Sequence, residues 1–288
     1  MKHALSFPTI DWEAIYNHPW HTNDTTPAEK NQVAFWDGRS GDFARKAHHP
    51  DQRRLAEHLL AKFSWHPHER VLDVGAGPGT FAIPLAQRVA HVTAFDLSLS
   101  MLEELRRQAV QEGKTNIDIL QGRWLSDELK NRTGYDTVIC FNALGVAALD
   151  EDGTCHMGKA VDRLREAARR GMVLVPHADL PADPPMRAAL NLPETGFRRE
   201  RIAILYHIMI RHGLLPNLEI LPRPFFWTFR SLEEGVQVLG QRLEITNDPE
   251  RMARLADHLS KRLEPDGDSF LLQYPVSQAL FTWKREES

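Results

Sequence analysis

From residue 70 onward the chain alternates between two hydrophobic periodicities. Nearly continuous apolar runs occupy Arg70–Val74, His91–Phe95, Ile117–Leu120, Asp136–Phe141 and Met172–Pro176. Between them apolar residues recur every three or four positions. A short apolar run bounded by turn residues marks a strand covered on both faces, and the wider spacing marks a helix with one buried stripe. Helices are therefore predicted at Thr80–Val89, at about Ser100–Glu112 and at about His156–Arg169. In the second, Ser100 and Glu103 read as a capping box. In the third, Met157, Val161, Leu164 and Ala168 share a face. Strands alternating with helices imply a parallel sheet wound on both faces.

The flanks are less regular. Residues 1–60 are polar and aromatic and are broken by Pro8, Pro19, Pro27 and Pro50. Thr26-Pro27-Ala28-Glu29 reads as a capped helix start with proline at its first position, and Pro50-Asp51 opens a second helix carrying Leu55, Leu59, Leu60 and Phe63. In the last third, a helix at Arg199–Leu214 is stopped by Gly213 and Pro216. Leu218–Leu221 and Phe225–Phe229 read as strands, and Ser231 caps a helix running to about Leu243. A further helix at Glu250–Leu263 precedes short strands at Phe270–Gln273 and Ala279–Trp283. The expected layout is a helical cap or lid over residues 1–60 and a core over 61–288, with a helical insertion around 190–265.

The chemistry concentrates where the first strand ends, in Asp73-Val74-Gly75-Ala76-Gly77-Pro78-Gly79-Thr80. Glycines let backbone approach a ligand and adopt positive φ. The second strand ends in Asp96, placed to take both hydroxyls of a ribose. A dinucleotide fold wants a glycine or alanine at the third small position, where this chain has Thr80. Pro78 also removes a donor that a pyrophosphate would use, and Asp73 adds negative charge beside it. A ligand carrying an ammonium and a sulfonium but no phosphate suits such a turn better, and the oxidoreductase reading becomes remote.

The run Asp73-x-Gly75-x-Gly77-x-Gly79 resembles the first motif of the Rossmann-like, class I S-adenosylmethionine-dependent methyltransferases, and Asp96-Leu97-Ser98-x-x-Met101 is similar to their second. The likeness is good over about residues 60–180. It implies an α/β fold with a seven-stranded, mostly parallel sheet, helices on both faces and helical additions before the last strands. It also implies S-adenosylmethionine as cofactor. Asp73 would meet the methionine ammonium, with Gly75, Ala76, Gly77 and Gly79 against the ligand. Asp96 would hold the ribose, and Leu97 and Met101 would pack on the adenine. After the third strand many relatives place an acid for the adenine amino group. This chain has Gln121-Gly122-Arg123-Trp124 there, so a backbone carbonyl, Gln121 or Trp124 would substitute. Strand four ends in Phe141-Asn142-Ala143-Leu144, without the Pro-Pro-aromatic sequence of enzymes that methylate adenine, cytosine or glutamine. The likeness also places Gly122, Trp124, Phe141 and Asn142 at the cofactor, and Asn142, Tyr206 and His207 are the candidate acceptor-pocket residues. No catalytic base is identified. The segment Trp36-Asp37 to Phe43 resembles the leader that folds over the cofactor in many small-molecule methyltransferases.

Composition narrows the partners. The 288 residues carry a net charge of −4, which offers no broad basic field for nucleic acid. The two cysteines, Cys140 and Cys155, have neither zinc nor disulfide spacing. The start Met-Lys-His-Ala-Leu-Ser-Phe-Pro lacks the apolar core of an export signal, so a cytoplasmic location is expected. The expectation is a methyltransferase acting on a small-molecule acceptor, with no metal, no nucleic acid and no membrane, and with a homodimer left open. The alternatives are methylation of RNA or protein, or a non-catalytic cofactor-binding subunit.

Overall fold

The computed structural model describes residues 10–17, 32–127, 133–176, 184–192 and 197–285. The helix start at Thr26-Pro27 lies outside these residues. Among the described residues the first helices are α1 Trp12–Tyr16, α2 Gln32–Asp37, α3 Ser40–His48 and α4 Pro50–Leu60. The alternating region follows as β1 Arg70–Val74, α5 Ala82–Leu85, β2 His91–Asp96, α6 Leu99–Gln111, β3 Ile117–Gln121, β4 Tyr135–Phe141, α7 Leu144–Ala147, α8 Met157–Ala167 and β5 Ala168–Val175. The chain then adds α9 Pro184–Ala189, α10 Phe197–Arg211, β6 Asn217–Phe229, α11 Leu232–Arg242, α12 Pro249–Ser260, β7 Glu264–Asp266 and β8 Ser269–Lys284.

The sheet order is β3-β2-β1-β4-β5-β8-β6, with β7 paired to β8. The first five strands in that order are parallel, and β8 is antiparallel to both β5 and β6. The order reverses between β1 and β4, which opens a crevice at their carboxyl ends. Alternate residues of the central strands feed different cores. Leu72, Val74, Val138, Cys140, Met172 and Leu174 face α8 and α10. Val71, Val92, Ala94, Ile139, Val173 and Val175 face α4 and α5. This alternation is why both faces read as apolar in the sequence.

Several expectations require correction. Among the described residues the sheet has eight strands rather than seven, the extra one being the three-residue β7. The predicted helix at Thr80–Val89 shrinks to α5, because Pro84 has no N–H to give and the next bonds, Gln87 N–H to Pro84 O and Arg88 N–H to Leu85 O, span only three residues. Ser98, not Ser100, caps α6, its Oγ accepting from Met101 N at 3.1 Å. The predicted strand pairs near the C-terminus merge into two long strands, β6 and β8, in unbroken register from Asn217 opposite Thr282 to Phe229 opposite Phe270. Pro222 and Pro224 do not interrupt β6: it is an edge strand, and prolines two apart leave their missing N–H groups on the same, open side. Beyond the parallel sheet this hairpin carries a third core, in which Leu239, Leu255 and Leu259 of α11 and α12 pack on Phe229, Leu272 and Tyr274. Among the described residues no helix is long and apolar enough to cross a membrane, and no group of metal-ligating side chains assembles.

Candidate functional site

The crevice at the β1/β4 switch point is a pocket enclosing about 1240 Å³, mouth included. Its floor is the turn after β1. Gly75 and Ala76 donate to Phe95 O at 2.8 and 3.0 Å, which ties the turn to the end of β2. Two glycines serve opposite needs. A Cβ on Gly75 would stand 2.0 Å from the Ala143 Cβ, so the bare backbone lets the β1 and β4 turns touch. A Cβ on Gly77 would meet nothing within 4 Å and project into open space, and Gly77 sits at φ +54°. The space above Gly77 is available to a ligand.

The floor is acidic. Asp96 accepts from Gly77 N at 2.8 Å through one carboxylate oxygen and from Ser98 N at 2.9 Å through the other. Each oxygen keeps a lone pair for a further donor, such as a ribose hydroxyl. Burial pushes the Asp96 carboxyl above its usual range, the backbone N–H groups of Ser98, Gly77 and Leu97 pull it back in part, and the neighbouring Asp37 charge adds to the rise. Asp73 is buried at 1% exposure just beneath the turn, and its Oδ2 has no hydrogen-bond partner. Burial, aided by the Asp96 charge, pushes its carboxyl up to about 8. An orphaned buried carboxylate oxygen calls for a donor. Asp96 on the floor, with Asp73 buried beneath it, suits a cationic ligand and opposes a pyrophosphate. S-adenosylmethionine, with its ammonium and sulfonium, fits the residues present.

The side walls are apolar. Phe81 stacks on Phe141 with ring centroids 3.7 Å apart. Leu97, Met101, Gly122 and Trp124 form the wall expected for adenine. Trp124 gives only its ring, because its indole N–H is turned away to Ala160 O at 3.3 Å. The Gln121 side chain is exposed, its amide 3.4 Å from Leu97 O. The two side chains offered above as substitutes for an adenine-binding acid are thus engaged elsewhere. Asn142 lines the pocket at φ +55°, with its N–H on Val175 O at 2.6 Å and its buried Oδ1 unpartnered.

Of the residues singled out in the sequence, the fold gathers Gly75, Ala76, Gly77, Asp96, Leu97, Met101, Gly122, Trp124, Phe141 and Asn142 around this one pocket. Asp73 lies under its floor rather than on its wall. Gly79 is off it, since a Cβ there would press on Ile83 and Leu105 at 2.8–3.0 Å; its need for glycine is internal packing. Tyr206 and His207 are also elsewhere. His207 stacks on Trp12 at 4.2 Å, 6° from parallel, and Tyr206 packs toward Phe281. Their helix, α10, buries its apolar side against α8 and α1 rather than against the pocket. Residues that the sequence reading missed take the other side of the mouth: Lys46 and Ala47 of α3, Gln52 of α4, Val146 and Ala147 of α7, and Phe225 of β6. The spacing Phe43, Lys46, Ala47 along α3 carried the signal, since those three share a helix face. Asp37 was also missed as a functional group. Its Oδ1 accepts from the Ser98 hydroxyl and lies 3.3 Å from Ser100 N, so α2 is pinned to the start of α6 beside Asp96.

Residues 71–167 match the methyltransferase domain family, and the pocket, with its glycine turn and the carboxylate that ends β2, lies at the carboxyl ends of that stretch's strands. Curated relatives include malonyl-[acyl-carrier protein] O-methyltransferase of Enterobacter lignolyticus, 38% identical over 93 residues, and ubiquinone biosynthesis O-methyltransferase of Rickettsia canadensis, 34% identical over 113 residues. These alignments cover 32% and 38% of this chain and 37% and 46% of those proteins, so less than half of either relative is spanned. A 23S rRNA (uracil(1939)-C(5))-methyltransferase of Klebsiella pneumoniae is 27% identical over 150 residues, 48% of this chain and 31% of that protein. Among solved structures, a protein of Bacillus halodurans C-125 described as a methyltransferase shares the fold, with a TM-score of 0.52, 15% identity, and coverage of 81% of this chain and 99% of that one.

Proposed function

We propose that this chain is an S-adenosylmethionine-dependent methyltransferase of a small molecule. The observation that carries the reading is the acidic floor: the half-satisfied Asp96 lies beside the open space above Gly77, and the unpartnered Asp73 Oδ2 is buried beneath the turn. The cofactor supplies a methyl group on a sulfonium; the acceptor's lone pair forms the new bond as the carbon–sulfur pair returns to sulfur, leaving a thioether. Asp96 would hold the ribose hydroxyls, Asp73 would receive the ammonium, and Leu97, Met101 and Trp124 would enclose the adenine. Transfer of this kind gains chiefly from enforced in-line approach and exclusion of water. Trp36 and Phe43, edge to face at 5.6 Å on α2 and α3, would supply that cover as a lid. The net charge of −4 favours a small acceptor over RNA.

Asp96→Ala should weaken S-adenosylhomocysteine by about 1.5–3 kcal/mol, the range for hydrogen bonds to a charged group. Calorimetry on a variant with normal circular dichroism checks it; unchanged affinity sinks the ribose assignment. The acceptor class is tested by adenosylhomocysteine release with thiols, phenols, amines and carboxylates, with total RNA as the competing class. Methyl transfer to RNA alone would reverse the small-molecule reading.

The lid should respond to the cofactor. Trypsin cleavage at Arg39 and Arg45 should slow when S-adenosylhomocysteine is added. Asp37→Ala should speed it in both states by releasing α2 from Ser98 and Ser100. Equal rates with and without ligand would count against a lid.

A further inference from the structure

Exposed large apolar side chains are few among the described residues, and four of them, Ile210, Leu215, Leu218 and Ile220, crowd into one short stretch. That stretch runs from the end of α10 into β6, the last strand of the sheet, whose outer edge meets no other strand among the described residues. Leu218 stands opposite Phe281 and Ile220 opposite Ala279, so both side chains lie on the sheet face that α10 covers. Ile220 is nonetheless 55% exposed, and Leu215, just ahead of the strand, 75%. An apolar cluster on an open sheet edge is a template for pairing. The backbone shows where pairing is possible. Pro224 stands opposite Pro275, and neither has an N–H, so β6 and β8 exchange no hydrogen bonds at that position. Positions alternate along a strand, so Pro222, Ile220 and Leu218 likewise turn their main-chain polar groups outward. The prolines have no donor to offer there; Leu218 and Ile220 do.

We infer that β6 pairs antiparallel with β6 of a second copy of this chain, about a two-fold axis at Glu219. In that register Leu218 faces Ile220 of the second copy and Ile220 faces its Leu218, and the two pairs exchange four backbone hydrogen bonds. Their side chains meet on the α10 face, apolar against apolar, beside Leu215. On the other face Glu219 meets its own counterpart, and each brings its own cation: Lys62 Nζ lies 3.1 Å from Glu219 Oε1. Two carboxylates and two ammoniums then balance across the axis. One step outward on either side Pro216 faces Pro222, neither with an N–H, so the ladder stops at the same place at both ends. This register pairs every outward main-chain group of Leu218 and Ile220. A shift by two residues sets a proline opposite one of them and leaves its carbonyl without a donor.

The test is sedimentation velocity of the full chain over about 1–200 μM, which should show a reversible equilibrium of monomer and dimer. Ile220→Pro deletes an outward donor and leaves the bonds to β8 in place. Two of the four bonds go with it, so the dimer should weaken at least about tenfold while circular dichroism holds. Leu218→Lys, which would press a charge on Ile220 of the second copy, should have the same effect and serves if the proline lowers the melting temperature. Lys62→Ala should weaken the dimer by leaving two carboxylates face to face, and Glu219→Gln in the same chain should recover the loss. Cross-linking reads the register. Glu219→Cys should form an intermolecular disulfide under mild oxidation, because position 219 faces itself. Asn217→Cys, with its counterpart roughly 13 Å away, should not. A monomer across the whole range, or a dimer untouched by both Ile220→Pro and Leu218→Lys, would overturn the inference. Equal cross-linking from positions 217 and 219 would overturn the register.

Discussion

Gly77→Val should abolish measurable cofactor binding. The Cβ would enter the open space over the turn, and a branched side chain resists the φ of +54° found there. A loss of at least about 100-fold, on the order of 3 kcal/mol, is expected for S-adenosylhomocysteine. The backbone penalty for a non-glycine residue in this region is roughly 1–3 kcal/mol, so the sheet should survive in a domain of this size. Gly77→Ala separates the two effects, since it keeps most of the steric block at a smaller strain. Gly75→Ala should do the reverse. Its Cβ would strike Ala143 rather than the ligand, so the melting temperature should fall further than in Gly77→Ala, and Ala143→Gly in the same chain should recover part of the loss. Gly77→Val binding S-adenosylhomocysteine normally would mean that the ligand does not lie over this turn.

Cofactor affinity should climb with pH up to about 8. With its carboxyl raised to about 8, Asp73 keeps its proton in the cofactor-free fold at neutral pH, whereas the unfolded chain has lost it above about 4. The unfolded state thus binds fewer protons between those values, and the stability of the cofactor-free protein should decline as pH rises through that window. An ammonium docked at Oδ2 favours the charged form and would expel the proton. Below pH 8 binding should then release a proton and tighten by up to about tenfold per pH unit, levelling off above it. The raised Asp96 carboxyl contributes in the same direction, so Asp73→Asn is the discriminating variant: its profile should be much flatter. Titration of S-adenosylhomocysteine from pH 6 to 9, in buffers of unlike ionisation enthalpy, reports both affinity and proton release. A flat wild-type profile, or an equal slope in Asp73→Asn, would refute an ammonium at that oxygen.

What the sequence disclosed follows physical lines. The parallel strands were legible because burial on both faces forces continuous apolar runs, and the glycine turn because it needs special backbone at fixed spacing. The two long strands β6 and β8 read as fragments. An edge strand tolerates Pro222 and Pro224, which in a central strand would be breaks. Gly75, Gly77 and Gly79 looked equivalent, yet one faces Ala143, one faces the ligand space and one faces Ile83 and Leu105; only coordinates distinguish these surroundings. Tyr206 and His207 fall outside the pocket lining, because polarity within an apolar helix signals burial, not which cavity it faces. Lys46 and Phe225 lie 179 positions apart and share no local pattern; their adjacency comes from the way β6 folds back over α3.

That fold-back has a consequence for inheritance. The family match ends at residue 167 and begins at 71, while Lys46, Phe43 and Phe225 all lie outside it. Part of the cavity's lining is therefore encoded outside the family match, while Asp96, Asn142, Val146 and Ala147 lie inside it. Substitution in the flanks would then change that part of the lining while Gly77 and Asp96 stay fixed. A chimera carrying α2–α4 and β6–β8 of a relative on this central domain should keep its cofactor and exchange its taste in acceptors.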